Sequence, residues 1–511
     1  MHTKAKRLTG TQAASKMFLP ENQAPQPKSA PILAMPKPLI LQTLKRTVIS
    51  GLLLLSLTQA GIAQSAPEPE REQLLNGLNI LFWPRPGSPE VLVKMRIHSG
   101  AAFDLAGKAG EMALLGDILF PDPATYDFFT TEMGGRLGVT VNYDSIVITM
   151  LGKAEDFEQI IQVLRTALIS TQLTPEVVTR IKDARMKMLR DTAVSPAVVA
   201  DRAISARLFG NTFPYGRPIG GSPEDLGRVE RADLMLARER FLNSNNATLA
   251  IVGGVSKARA LRTLRQLIGP WRKSEELIPT TFKQPVAPER RTLIINSPGP
   301  SAEVRVAIRG VARNDTDYFT SLVLAKLALQ RWVGLAPELA NKPVFARSDS
   351  YVLPGMFVIG GSINNQNVAD SMAAIHKAAQ SLLSTPATAA ELERAKSEVI
   401  NEVASVSSKP DSMPDPWFDE VTYGLKSAQN HQQLLQSINS TDLQRLASRL
   451  FKDASVATVI VGDSLEIKTA LEGKVPFEVL GEITAPVTAA PVATPSPSPR
   501  APITPKTDKP R

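Results

Sequence analysis

The feature of this 511-residue chain that most restricts its fold is that it repeats itself. The run Val93-Lys94-Met95-Arg96-Ile97-His98-Ser99-Gly100 alternates as a strand does and resembles Val304-Arg305-Val306-Ala307-Ile308-Arg309-Gly310, an offset of 210 at the two glycines (310 − 100). Thr174-Pro175-Glu176 opens a helix containing Arg180 and Lys182, and Thr388-Ala389-Ala390 opens one containing Arg394 and Lys396, at an offset of 214. The helix from Ala232 to Phe241 matches that from Thr441 to Leu450 at 209, and the strand Leu249-Ala250-Ile251-Val252-Gly253 matches Thr458-Val459-Ile460-Val461-Gly462 at the same spacing. Four segments in one order at nearly one offset predict two copies of one domain, residues 70–270 and 291–475, joined by a linker over 271–290 that includes the Pro-containing stretch Ile278 to Glu289. Within each copy, alternating strands interleave with amphipathic helices such as Asp156 to Ser170 and Asn367 to Leu383. The expected class is α+β: two homologous domains of mixed or antiparallel sheet packed with helices, each sheet burying one face and leaving the other less covered.

Charge adds little once it is located. Of the formal +9, residues 1–63 carry +7, eight Lys or Arg against Glu21, so the remainder carries only +2. A nearly neutral body gives no electrostatic reason to expect a nucleic-acid partner. Leu44-Lys45-Arg46, the apolar run Val48 to Leu57 and the small residues Ala60-Gly61-Ile62-Ala63 read as a signal peptide cleaved after Ala63, with Met35 an alternative start. The run is shorter than the roughly 20 residues of a spanning helix, so membrane contact is expected only through an uncleaved signal. The chain is therefore expected to be exported, to a periplasm or an equivalent lumenal space. It contains no cysteine, which excludes disulfides, thiol nucleophiles and thiolate metal sites. The segment 481–511, with eight prolines and no aromatic residue, is expected to be a disordered tail.

Chemistry-bearing motifs are sparse. There is no Walker sequence, Gly134-Gly135 lacks the G-x-G-x-x-G spacing, and no Gly-x-Ser-x-Gly occurs. The acids Glu224-Asp225 fall at a predicted helix N-terminus, where the helix dipole favours them. The four histidines, His2, His98, His376 and His431, are never three or four residues apart, so no helix presents a histidine pair to a metal.

The order of the pieces is nevertheless specific. Gly107-Lys108-Ala109-Gly110 leads into a helix ending Ile118-Leu119-Phe120, Gly134-Gly135-Arg136-Leu137 precedes a strand, and Pro214-Tyr215-Gly216-Arg217-Pro218-Ile219-Gly220-Gly221 precedes Ser222-Pro223-Glu224-Asp225-Leu226. The second half has Ser297-Pro298-Gly299-Pro300 before Glu303-Val304-Arg305. Over roughly residues 75–470 this resembles the pitrilysin/insulinase family, in the two-domain branch of the mitochondrial processing peptidases. The resemblance implies a clam-like, metallopeptidase-like fold of the LuxS/processing-peptidase type. Active members carry H-x-x-E-H, two zinc-binding histidines and a general base on one helix. Here the motif falls on Ala113, Leu114, Leu115, Gly116 and Asp117, and the third ligand falls near Met188, within Arg185-Met186-Lys187-Met188-Leu189, where the nearest carboxylates are Asp183 and Asp191. Asp117 alone on a helix is expected to be solvated or hydrogen-bonded. The family's substrate-contacting Arg and Tyr of the second half fall at Arg331 and Phe345. The resemblance therefore implies a homologue without metal, cofactor or catalysis, paired with an active zinc peptidase (or with itself) and helping to hold extended peptides in a chamber. The alternative is a scaffold subunit of an envelope complex that binds no peptide.

Overall fold

The computed structural model describes residues 68–192, 195–426 and 431–480; the signal-peptide and tail readings lie outside them. In the first half come β1 (Glu70–Gln73), β2 (Asn79–Pro84), β3 (Glu90–Ile97), α1 (Glu111–Ile118), α2 (Pro123–Asp127), β4 (Arg136–Val141), β5 (Ile146–Lys153) and α3 (Phe157–Arg165). They are followed by α4 (Pro175–Thr192), α5 (Pro196–Phe209), α6 (Pro223–Arg228), α7 (Arg231–Phe241), β6 (Ala247–Gly253) and α8 (Lys257–Leu267). The second half comprises β7 (Thr292–Asn296), β8 (Ser301–Arg309), α9 (Tyr318–Leu335), β9 (Val344–Asp349), β10 (Met356–Asn364), α10 (Val368–Ser384) and α11 (Ala389–Ser407). It ends with α12 (Asp415–Tyr423), α13 (His431–Ser437), α14 (Ser440–Phe451), β11 (Ala457–Gly462), α15 (Ser464–Leu471) and β12 (Phe477–Leu480). Among the described residues no helix is long and apolar enough to cross a membrane.

The two sheets run β1-β2-β6-β3-β5-β4 and β12-β7-β11-β8-β10-β9, the same order apart from the first strand. That strand comes from opposite ends of the repeat: β1 precedes its copy and lies antiparallel to β2, whereas β12 follows its copy and lies parallel to β7. Ile251 pairs with Val93, and Ile460 pairs with Val304, so these strands superpose at 211. The second copy reaches its glycine one residue sooner, and the 210 offset read from the glycines is off by one in the strand. The distinction matters because one residue of slip exchanges the faces of a strand. With 211, Val93, Met95 and Ile97 and their counterparts Val304, Val306 and Ile308 all face the helix layers, while Lys94 and Arg305 share the opposite face.

That opposite face is also buried, contrary to the expectation of a half-covered sheet. Helix α5, from the first half, lies across β8 and β11 of the second sheet. Its Ala200, Ile204 and Leu208 join Ala307, Val358, Val459 and Val461 in one apolar cluster. Reciprocally, Trp417 and Phe418 of α12 join Leu81, Trp83, Leu92, Ala250 and Val252 of the first sheet, with Trp83 and Trp417 edge to face at 5.1 Å. The halves thus exchange helices, each capping the other's sheet. The exchange explains the buried cations on that face: Lys94 reaches Asp415 at 2.6 Å, and Arg96 reaches Asp419 at 2.6 Å. Arg305, only 2% exposed, reaches Asp201 of α5 at 2.7 Å and Glu303 at 2.9 Å. A buried charge needs such partners, and here each partner comes largely from the other half.

Local signals account for the helix ends. Thr388 and Glu391 form a reciprocal capping box at the start of α11, and Asn439 with Asp442 does the same for α14. Ser222 accepts from the Asp225 N–H at the start of α6, with Glu224 and Asp225 in its first turn as the helix dipole favours.

Candidate functional site

The helix that carries the motif positions is fixed by groups distant in sequence. Asp104, buried before α1, accepts the N–H groups of Gly110 (2.7 Å) and Met112 (2.8 Å), taking up donors of the first turn that have no partner within the helix. Burial pushes its carboxyl up to about 7, although the two N–H groups and nearby Arg217 act the other way. Arg217 donates to the backbone oxygens of Asp104 (2.8 Å) and Ala102 (3.3 Å), tying this segment to the Pro214–Gly221 motif. The two glycine-rich motifs also touch. A Cβ on Gly221 would stand 2.2 Å from the Ala109 oxygen, and one on Gly110 would stand 2.8 Å from the Gly220 oxygen, with both residues at positive φ. Only glycine permits that approach and that backbone.

On α1, Ala113 and Asp117 lie on one face, four residues apart, turned toward α4. From α4, Arg185 reaches into the position between them. Its Nε and Nη2 donate to the two carboxylate oxygens of Asp117, both at 2.7 Å, and Nη2 also donates to the Ala113 oxygen at 3.3 Å. Asp117 is thus hydrogen-bonded, as a lone acid on a helix should be, in a planar two-point pair that fixes the guanidinium. Gly116, where the motif has its base, faces β4. A Cβ there would lie 2.7 Å from Cγ2 of Val141 and 3.5 Å from Cγ1 of Val139, so the missing side chain is what lets α1 close on β4. Of the segment expected to hold the third ligand, Arg185 and the buried Leu189 face inward, and Met188 is 49% exposed.

These residues do not fit the zinc ion that the resemblance associates with this position. Two of the three motif side chains have no donor atom, and a fixed cation from α4 stands among them. Among the described residues no three His, Cys, Asp or Glu side chains come together as a metal-binding group. The three histidines among the described residues lie elsewhere. His98 sits under α12, His431 packs on Phe319, and His376 is on α10.

The substrate-contacting candidates of the second half are not brought together. Arg331, on α9, donates to Glu391 (3.1 Å) and to the backbone oxygens of Ser381 (2.7 Å) and Thr385 (3.0 Å), closing the turn between α10 and α11. Phe345, on β9, lies against two guanidinium groups, with Arg305 and Arg347 at 4.9 and 4.7 Å from its ring centre. Arg185 belongs to no motif. Its signal was present: a cation on the helix of the third ligand and a carboxylate at the place of the second histidine.

The comparisons agree with the architecture. Residues 228–399 match the family described as "Peptidase M16 inactive domain". That stretch runs from the end of α6 through α7, β6, α8 and the linker to most of α11, and does not include α1. The probable mitochondrial-processing peptidase subunit beta of Schizosaccharomyces pombe is 22% identical over 424 residues, 78% of this chain and 92% of that protein. The structure of a peptidase M16 inactive domain from Pseudomonas fluorescens superposes with a TM-score of 0.69 at 17% identity, covering 78% of this chain and 98% of the other. A chain of complex III2 from Candida albicans superposes with a TM-score of 0.66 at 15% identity, covering 79% and 97%. With the order of its motifs, its doubled sheet and these matches, the chain is a homologue of the mitochondrial-processing peptidase beta subunit and of the M16 (pitrilysin/insulinase-type) peptidase-like proteins.

Proposed function

We propose that this chain is an exported, non-catalytic peptidase homologue that pairs with an active zinc peptidase of the same fold and supplies part of the wall of a peptide-binding chamber. The observation that carries the reading is the Arg185–Asp117 pair: a guanidinium occupies the place where a hydrolase of this fold needs a metal, and Gly116 leaves no base. What remains is a double domain with sheet edges at β4 and β9, each paired on one side only among the described residues. An edge strand offers alternate backbone groups to an extended peptide, which gives affinity without reading its sequence. The test is recovery of residues 64–511 from native envelope extract with the bound proteins identified by mass, together with metal analysis of the purified chain. A zinc-peptidase homologue at equal stoichiometry, and no stoichiometric zinc in this chain, is the expected outcome. Tightly bound zinc at one equivalent would overturn the non-catalytic reading.

A second reading, a scaffold subunit of an envelope complex without peptide binding, is favoured by the likeness to a chain of complex III2. Recovery of the chain with unrelated envelope proteins and no peptidase homologue decides for it.

A further inference from the structure

The second half holds a cavity of about 460 Å³ lined by α9, α11, β9 and the first turns of α12. We propose that it binds a free α-amino acid with a large apolar side chain, whose carboxylate is held by Arg313 and whose ammonium is held by Asp415. This site goes beyond the pairing and chamber reading and does not depend on it.

The duplication accounts for the space. Helices α9 and α11 follow β8 and β10 as α1 and α4 follow β3 and β5 in the first half. At the 214-residue offset between α4 and α11, Arg185 corresponds to Val399 (185 + 214 = 399). In the first half Arg185 crosses to Asp117 and fills the gap between its two helices. In the second, the shorter Val399 lines the cavity with Leu322 and Ala325 of α9 and Val403 of α11. The ion pair that does join α9 and α11 is Lys326 with Glu402 at 2.8 Å, and the glutamate side chain is 63% exposed, so it stands toward solvent and leaves the apolar walls facing each other. An apolar side chain placed between those walls leaves water.

The polar lining supplies one group of each sign. The Arg313 guanidinium lies 3.9 Å over the ring of Tyr318 and donates through Nη2 to Asp419 at 3.1 Å. Its side chain is only 10% exposed, yet Nε and Nη1 have no acceptor among the described residues. A guanidinium fixed in this way is a prepared fork for a carboxylate. Asp415 lies four residues before Asp419, on the same face of α12. Its Oδ1 accepts from Lys94 at 2.6 Å and from Arg96 at 3.5 Å, while Oδ2 has no donor among the described residues. Burial pushes this carboxyl up against the pull of Lys94 and Arg96, so a further N–H donor at Oδ2 is favourable. The charged groups of the lining are otherwise matched: Arg313 with Asp419, Arg347 with Asp349, Lys326 with Glu402 and Asp415 with Lys94. A ligand of net charge would leave one sign in excess in a largely buried site, whereas an α-amino acid brings both signs together.

The experiment titrates the purified chain by calorimetry with L-phenylalanine, with phenethylamine, which lacks the carboxylate, with 3-phenylpropanoate, which lacks the ammonium, and with glycyl-L-phenylalanine. Phenylalanine should bind about tenfold more tightly than either single-charge analogue, the scale of one hydrogen bond to a charged group. Arg313→Gln should erase its advantage over phenethylamine, and Asp415→Asn its advantage over 3-phenylpropanoate. Both residues also pair within the chain, so thermal unfolding is followed for each variant. Val403→Trp, which fills the space from a half-buried position on α11 without altering a charge, should abolish binding while the unfolding temperature is kept. Absence of phenylalanine binding, equal binding of the analogues, or undiminished binding by folded Val403→Trp overturns the site. Tighter binding of glycyl-L-phenylalanine than of phenylalanine overturns the amino-acid assignment. None of these outcomes bears on whether a zinc-peptidase homologue is recovered with the chain, so the pairing reading stands or falls separately.

Discussion

At single residues, burial and hydrogen-bonded partners decide how charge is carried. The Arg185–Asp117 pair is partly open to water, with side-chain exposures of 12% and 37%, so its contribution is screened and modest. Asp117→Ala should lower stability by about 1 kcal/mol in urea titrations. Restoring the motif as Ala113→His, Gly116→Glu and Asp117→His should create no metal-dependent peptidase activity, because α4 offers a cation in place of a third ligand. The glutamate must also displace Val141, a crowding cost of about 1–3 kcal/mol. Two buried titratable groups should tilt the pH dependence in opposite directions. Thr422 donates its hydroxyl to the Phe418 oxygen, so it accepts from Nδ1 of His98, which leaves Nε2 to accept from Thr248. Burial first, and then Arg96, depress the imidazole to about 3. The unfolded chain therefore binds the proton more readily below pH 6.5, and stability falls as pH drops from 6.5 toward 3. His98→Gln should flatten that loss. Asp144 behaves oppositely: burial raises its carboxyl to about 6, so stability is present below about pH 4 and is lost as pH rises through 6. Asp144→Asn, which keeps an acceptor for the Val352 N–H, should remove on the order of 2 kcal/mol of that decline, read from denaturation midpoints between pH 4 and 7.

At the scale of elements, the exchanged helices decide how the halves hold together. Helix α12 brings the fully buried Phe418 beneath the Arg96 guanidinium, 5.1 Å from its ring, and sets Trp417 against Trp83. Truncating Phe418 to Ala removes a large apolar group and undercuts a charged one, so a loss of about 3–5 kcal/mol is expected. Amide exchange should then accelerate in β3 and in residues 415–423 more than in the second sheet. The pairing of Glu420 with Arg71, whose side chain is 56% exposed, is a rim contact, and Glu420→Ala should cost less than about 1 kcal/mol. These helices lie in the repeat where pattern alone would assign them to their own domain. Helix α5 carries Ala200, Ile204 and Leu208 at four-residue spacing, which states that one face is buried without stating against which sheet.

For the whole molecule, the exchange makes two similar domains into one compact unit. Residues 70–270 made alone should expose the outer face of the first sheet, with Leu81, Trp83, Leu92 and Val252 uncovered and Lys94 and Arg96 unpaired. Residues 291–475 alone should likewise leave Arg305 without Asp201. Each half is expected to aggregate or remain partly folded, and the two should associate when expressed together, as size-exclusion chromatography would report. Independently folded, monomeric halves would show that the exchanged helices are dispensable.

The sequence by itself determined the duplication, the alternation of strands and helices, the Thr388 cap and the residue types that stand at the motif positions. These reside in local pattern and residue type: period-two and helical spacing, Thr388 and Glu391 three apart, and Ala113 and Gly116 without a donor atom. The exchanged helices, the one-residue correction between the central strands and the Arg185–Asp117 pair were decided only by the tertiary structure. The reason is physical. An amphipathic helix fixes which of its faces is buried but not its partner, and an arginine 68 residues from an aspartate becomes its counter-ion only when two helices are laid side by side.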